Sequence, residues 1–160
     1  MAMDIALNAT HASAYPSKVL ATRVGHTYNI VLTANTDNGA IVGRGAYVAY
    51  DQYTETTAPV AFAGKIRGIA ANGNFEVEVT AIDPQKEAIF IYETVIPTRQ
   101  DRDLRQEKLW FNKSGETVEG IVLTIGDVFE LSKEGFTTTP AATDVGKSVT
   151  VSNKKLAIGA

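Results

Sequence analysis

The stretch Phe75-Glu-Val-Glu-Val-Thr80 decides the fold, because apolar and polar side chains alternate along it without interruption. Successive side chains of a β-strand point to opposite faces, so Phe75, Val77 and Val79 are expected to face a core. The two glutamates between them then face water. A turn signal, Asn72-Gly-Asn74, comes just before this run. The stretch therefore predicts a half-buried strand that follows a turn, as in an antiparallel sheet.

Short apolar runs on both sides of this stretch predict more strands. The run 88–92 lacks alternation, so we expect it to be covered on both faces, by the core alone or by the core and a partner. Asn153 and Lys154 form the short connection of a terminal hairpin, whereas the polar segment 51–58 is expected to be a loop. Many short strands separated by glycine and asparagine predict an all-β fold, an antiparallel sandwich or a small barrel. The predicted strands are 29–33, 40–50, 59–63, 65–69, 75–80, 88–92, 118–125, 127–132, 147–152 and 155–158.

Two segments depart from this pattern. Residues 1–26 contain few large aliphatic side chains, so they are either a loose tail or an extended arm that becomes ordered on a neighbour. We expect an N-terminal arm at 1–26 and a β-rich domain at 27–160. One short helix is predicted at 99–108, where opposite charges stand three and four residues apart and Leu104 is the single apolar residue.

Composition limits the classes of function. A chain of 160 residues can bury a core as one domain, and its net charge of −3 provides no general attraction for nucleic acid. The chain has no cysteine, which excludes disulfides, thiolate metal sites and thiol nucleophiles. No apolar run approaches the ~18 residues of a membrane span. The segment 1–7 lacks the basic start and apolar core of a secretory signal, so we expect synthesis in the cytoplasm.

Residues that could carry catalysis are few. His11 and His26 lie in the weakly patterned N-terminal part, whereas a histidine base must be held by packing and by a second group. Two distant histidines do not make a zinc site. Gly43 and Gly45 lack the helix and the lysine-serine ending of a phosphate loop, so a bulge or bend in a strand is expected there. We predict no enzymatic activity, no metal and no cofactor.

Two pairs of carboxylates suggest alternatives. Glu76 and Glu78 share one strand face at roughly 7 Å, which is near the separation of glycosidase carboxylates. A carbohydrate-binding or glycan-cleaving β domain is therefore one alternative, although a solvated strand face explains the pair more simply. Asp101 and Asp103 are spaced like calcium ligands, but arginines interleave them and no glycine follows at the turn.

The charged segment 99–108 runs directly into the aromatic pair Trp110-Phe111. Acidic residues offset its positive charge, which disfavours binding to phosphates. Mixed charges beside aromatic side chains suit a protein–protein contact; a solvated loop with core aromatics is the alternative. The residues that we predict to contact a partner are Tyr15, Val19, Leu20, Arg102, Arg105, Trp110 and Phe111.

The order of segments in the second half of the chain resembles that of the head-decoration, or cement, proteins of tailed bacteriophages. The resemblance rests on Gly126-Asp127 at a strand start, Glu134-Gly-Phe136 at a turn, Val145-Gly-Lys147 at the terminal hairpin, and Asn38-Gly-Ala-Ile-Val42 at an earlier strand start. It implies a virion protein on the capsid exterior that binds the major capsid protein, forms a trimer and stabilises the shell. We expect neither nucleic acid nor a membrane as a partner. A tail-tube or head-fibre subunit is the alternative among virion proteins.

Overall fold

The structure, a computed structural model, describes residues 11–21, 26–56, 60–93 and 111–160. It confirms the predicted all-β class. Two short 3-10 helices lie at Lys133–Gly135 and Ala142–Asp144. The strands are β1 Ala14–Lys18, β2 Thr27–Val31, β3 Ile41–Ala49, β4 Gln52–Thr56, β5 Phe62–Ile69, β6 Phe75–Ile82, β7 Ala88–Ile91, β8 Thr117–Val122, β9 Val128–Leu131, β10 Ser148–Ser152 and β11 Lys155–Ile158.

The strands form one open sheet and one closed barrel. The open sheet has six strands in the order β1-β9-β6-β5-β10-β11, and the barrel has five in the order β2-β4-β3-β7-β8. Neighbouring strands are antiparallel, apart from the parallel pair β2–β4 that helps to close the barrel. The fold thus combines the two predicted architectures, because a wall of the barrel packs against the sheet as in a sandwich.

Strand β7 shows how the two units share that wall. Its four residues are all buried, and their side chains alternate between two hydrophobic cores. Phe90 joins the core between barrel and sheet, where its ring lies 4.8 Å from that of Phe129. Ile89 and Ile91 join a second core inside the barrel, together with Ile30 on β2. Both faces of β7 are therefore covered within this chain.

Strand β6 contains the alternating stretch that starts at Phe75. Phe75, Val77 and Val79 are buried in the core between barrel and sheet, and the intervening glutamates are partly exposed. The alternation predicted from the sequence is confirmed. The terminal hairpin is confirmed as well, because β10 and β11 pair up to Ser152 and Lys155 around a two-residue turn.

Two predictions for the middle of the chain were wrong. The segment 51–58 contains strand β4, and the two strands predicted at 59–63 and 65–69 are the single strand β5. Apart from Tyr53, β4 is made of polar residues; its place in the barrel depends on pairing with β2 and β3. In β5, a side chain on Gly64 would lie 2.8 Å from the Glu78 carbonyl oxygen, so the glycine permits close strand packing.

The described part of the predicted arm lies on its own chain. Strand β1 is an edge of the open sheet and pairs with β9, and the residues that follow include Val19 and Ala21, both buried in the core. The helix predicted at 99–108 lies outside the described residues.

Candidate functional site: a tyrosine hairpin at one end of the barrel

The hairpin of β3 and β4 extends past the end of β7, while its second strand stays paired with β2 as far as Gln52. Strand β3 pairs with β7 only through Ile41–Gly43, whereas its pairing with β4 continues to Ala49. The register shifts on both sides of Tyr47. A side chain on Gly45 would lie 2.6 Å from the Thr54 carbonyl oxygen. The irregularity predicted at the two glycines is therefore present at Gly45, whereas Gly43 pairs regularly with Thr56.

The turn of this hairpin has an unusual residue at its tip. Tyr50 and Asp51 connect the paired residues Ala49 and Gln52, with φ angles of 48° and 60°. Positive φ at both central positions is the pattern of a type I′ turn, which usually contains asparagine or glycine. A tyrosine there costs about 1–2 kcal/mol. Tyr50 is 90% exposed, so burial of its ring does not offset this cost.

Behind the tip, aromatic rings connect the hairpin to the barrel. The Tyr47 ring meets the Tyr53 ring edge-on at 5.6 Å, and Tyr53 meets Tyr28 in the same way at 5.3 Å. The Arg44 guanidinium lies 4.9 Å from the centre of the Tyr28 ring and 5.1 Å from that of Tyr53. Such edge-on and cation–π contacts restrain the side chains that take part. We call Tyr28, Arg44, Tyr53 and Glu87 the aromatic end of the barrel.

Glu87, just before β7, completes the aromatic end. Its carboxylate lies 3.3 Å from Arg44 Nε and accepts a hydrogen bond of 3.3 Å from the Tyr28 hydroxyl. Arg44 also donates a hydrogen bond of 3.1 Å to that hydroxyl. Burial raises the pKa of Tyr28, and the negative charge of Glu87 raises it further. The tyrosine is therefore neutral near pH 7 and donates to the carboxylate.

A groove of about 300 Å³ runs beside the aromatic end. Its charged side chains are Arg44, Lys86 and Glu87. Since the groove carries both signs of charge, it has no strong preference for an anion or a cation.

A buried ion pair joins β4 of the barrel to the terminal hairpin. Lys154, in the β10–β11 turn, places its Nζ 2.8 Å and 2.9 Å from the two carboxylate oxygens of Glu55 on β4. The Glu55 side chain is fully buried and the Lys154 side chain is 18% exposed. Thr33 also donates to the carboxylate, from its backbone N–H and its hydroxyl. Burial acts to raise the pKa of Glu55, but the hydrogen bonds from Lys154 and Thr33 hold it below its usual value.

A small pocket of about 170 Å³ lies next to this ion pair, between the barrel and the terminal hairpin. Thr36 and Lys154 are part of its wall, and Lys154 Nζ lies 3.0 Å from the Thr36 hydroxyl. The Lys154 carbonyl accepts a hydrogen bond of 3.0 Å from the Ile41 N–H at the start of β3. These contacts join the open sheet to the barrel, so the polar groups here have a structural role.

The residues predicted to contact a partner fall into four groups. Tyr15 on β1 and Leu20 just after it are about half exposed, whereas Val19 is only 1% exposed. Val19 therefore has almost no surface with which to contact a partner. The Phe111 ring lies 5.0 Å from the ring of His11, centre to centre, with the two planes tilted by 36°. Arg102, Arg105 and Trp110 lie outside the described residues.

The paired glutamates of β6 lie on the outer face of the open sheet. Glu76 is 3.4 Å from Lys18 Nζ, and Glu78 is 3.5 Å from Lys65 Nζ. Each carboxylate thus has its own lysine partner on a surface. This arrangement matches the solvated strand face weighed above.

The sequence pattern does not predict the β3–β4 hairpin, which we call the tyrosine hairpin, although its tyrosines stand close together in the sequence. Three of the six tyrosines of the chain, Tyr47, Tyr50 and Tyr53, fall within seven residues, just after Gly45. The sequence pattern predicts a strand for the first two and a loop for the third. Their exposure depends on the turn between β3 and β4. The sequence pattern does not predict this turn, because it indicates a loop for the segment 51–58.

Comparison with known proteins finds no matching family, no matching curated protein and no matching solved structure. Within the described ranges, no helix combines the length and apolar character needed to cross a membrane. In the same ranges, no three histidine or acidic side chains are grouped as metal ligands.

Proposed function

We propose that this chain is a structural virion protein that binds the outside of an assembled phage capsid and stabilises it. The observation that carries the proposal is the tyrosine hairpin, an exposed aromatic surface held on a rigid two-core β scaffold. Exposed tyrosines on a rigid support are typical of protein-binding surfaces. The segment order that resembles head-decoration proteins supports the same function.

The ion pairs Arg44–Glu87 and Lys154–Glu55 and the glutamates of β6 also support a binding protein. Arg44 and Lys154 are each paired with a carboxylate that helps to connect elements of the fold. Glu76 and Glu78 are each neutralised by a lysine on an open sheet face.

The proposed mechanism of stabilisation is mass action. A protein that binds the assembled shell, and not its dissociated subunits, adds its binding free energy to shell stability. Many copies on a symmetric surface, each bridging neighbouring subunits, increase the effect through avidity. The proposed partner is the major capsid protein, and the proposed binding form is a trimer.

The test uses capsids of the parent phage that lack this protein. Purified wild-type chain is added, unbound protein is removed, and the temperature of shell rupture is measured by release of packaged DNA. We expect saturable binding to the heads and a higher rupture temperature. Absence of binding, or an unchanged rupture temperature at saturation, contradicts the proposal. Gold labelling confined to tails or head fibres would support the alternative virion subunit.

A further inference from the structure

We infer that the hairpin tip, defined as Tyr47, Val48 and Tyr50, inserts into an apolar pocket on the partner protein. The proposed function identifies that partner as the shell protein, and the inference rests on it. The tip is a different surface from the β1 region that contains Tyr15 and Leu20.

The first argument is exposure. Tyr47 is 61% exposed, Val48 is 49% exposed and Tyr50 is 90% exposed, all within four consecutive residues. Single exposed apolar side chains are ordinary on protein surfaces, but three of them around one hairpin turn are unusual, and exposed apolar groups concentrated in this way mark a site of interaction. Burial of two tyrosine rings in a pocket would remove much apolar area from water.

The second argument is backbone strain. Tyr50 has a φ of 48°, a conformation in which asparagine and glycine have a lower energy than tyrosine. Strained residues of this kind concentrate at functional sites. Because the ring is almost fully exposed, the folded monomer gains little from it. Burial of the ring against a partner offsets the energetic cost of its backbone conformation.

The third argument is pre-organisation. Tyr47 packs edge-on against Tyr53, and Arg44 covers the Tyr53 ring and is held by Glu87. The base of the tip is therefore restrained before any partner arrives. Restraint of this kind reduces the conformational entropy that is lost on binding.

The charge of the residues around the hairpin tip indicates which class of molecule binds there. Between Gly45 and Tyr53 the only ionisable charge near pH 7 is the carboxylate of Asp51. Nucleic acids and anionic membranes require cations on the protein, and this segment has none. An apolar pocket with a basic rim on a folded protein complements one carboxylate among aromatic side chains. We therefore assign a protein as the occupant.

The experiment measures binding of three variants to capsids that lack this protein. Tyr50→Asn removes the ring but suits positive φ, and Tyr47→Ser removes the second ring. Ile69→Ser is the matched control, since Ile69 is a half-exposed apolar residue on the open sheet. We expect each tyrosine variant to bind at least about tenfold more weakly, the range of an interface hot spot. The control is expected to bind like the wild type.

Thermal melting separates contact from folding. Tyr50→Asn is expected to melt at or above the wild-type temperature, so weaker binding by this variant cannot arise from unfolding. Wild-type binding by both tyrosine variants overturns this inference and leaves the proposed function standing. Failure of the wild-type chain to bind heads overturns both. A parallel arm uses vesicles of phosphatidylcholine and phosphatidylserine; binding to these that depends on Tyr50 would overturn the assignment of a protein partner.

Discussion

The two hairpins around residues 50 and 153 have turns of the same kind and use them in opposite ways. In each, two residues with positive φ connect a pair of antiparallel strands: Tyr50-Asp51 between β3 and β4, and Asn153-Lys154 between β10 and β11. The second turn directs Lys154 inward to the buried carboxylate of Glu55. The first directs Tyr50 outward, where its ring is almost fully exposed.

We infer from this difference that the β10–β11 turn contributes to stability and the β3–β4 turn to binding. Lys154 has an unfavourable backbone conformation, but its ammonium group neutralises a buried charge and joins the open sheet to the barrel. Tyr50 has a similar conformation with no comparable gain inside the monomer. We therefore expect substitutions in the β10–β11 turn to change folding, and substitutions in the β3–β4 turn to change contacts with other molecules.

The largest expected effect is at Lys154. Lys154→Met removes the cation and leaves the Glu55 carboxylate buried without its main partner. We expect a loss of about 3 kcal/mol in the free energy of unfolding, at the lower end for buried pairs because Lys154 is partly exposed. Urea denaturation measures it. The control is Lys155→Met, at an exposed neighbour, which should change stability by less than about 0.5 kcal/mol. Equal effects of the two substitutions would contradict the internal role of this turn.

The second prediction concerns pH. Hydrogen bonds hold the folded-state pKa of Glu55 below its ordinary value of 4.5. The ionised carboxylate therefore stabilises the fold above pH 4.5, and this contribution is lost as the pH falls through the folded-state pKa. We expect wild-type stability to decrease more steeply below pH 4.5 than that of Glu55→Gln, which has no group to titrate there. Parallel pH profiles in urea denaturation would show that the ion pair does not couple folding to pH.

The smallest expected effect is at Tyr50, and it has the opposite sign. Tyr50→Asn should stabilise the monomer by about 0.5–1 kcal/mol, because asparagine tolerates positive φ better than tyrosine. The reciprocal change, Asn153→Tyr, should destabilise it by a similar amount, since Asn153 holds the equivalent first position of the other turn. Thermal and urea unfolding measure both. A loss of stability in Tyr50→Asn would indicate that the ring supports the fold and would weaken the comparison.

Several features could be predicted because they depend on local pattern. The alternation from Phe75 to Val79 identified β6, and the uniformly apolar run at 88–92 indicated a strand buried on both faces. The short connection Asn153-Lys154 indicated the last hairpin. In each case the local pattern of apolar and polar side chains predicts which of them are buried, since strand geometry determines which side chains share a face.

The features that were missed depend on partners distant in sequence. Strand β4 is polar, and it is a strand because β2 and β3 provide backbone pairs on its two sides. The Glu55–Lys154 contact joins residues separated by 99 positions. The exposure of the tyrosine hairpin follows from the turn at Tyr50 and Asp51, which the sequence pattern did not predict.

By itself, the sequence determined the all-β class, the alternation of β6, the buried strand β7 and the terminal hairpin, because these follow from local propensity and side-chain period. Only the tertiary structure decided the division into an open sheet and a closed barrel, the burial of Glu55 and the exposure of Tyr50. These depend on which strands pair across long separations, and pairing is selected by the total burial and hydrogen bonding of the whole chain.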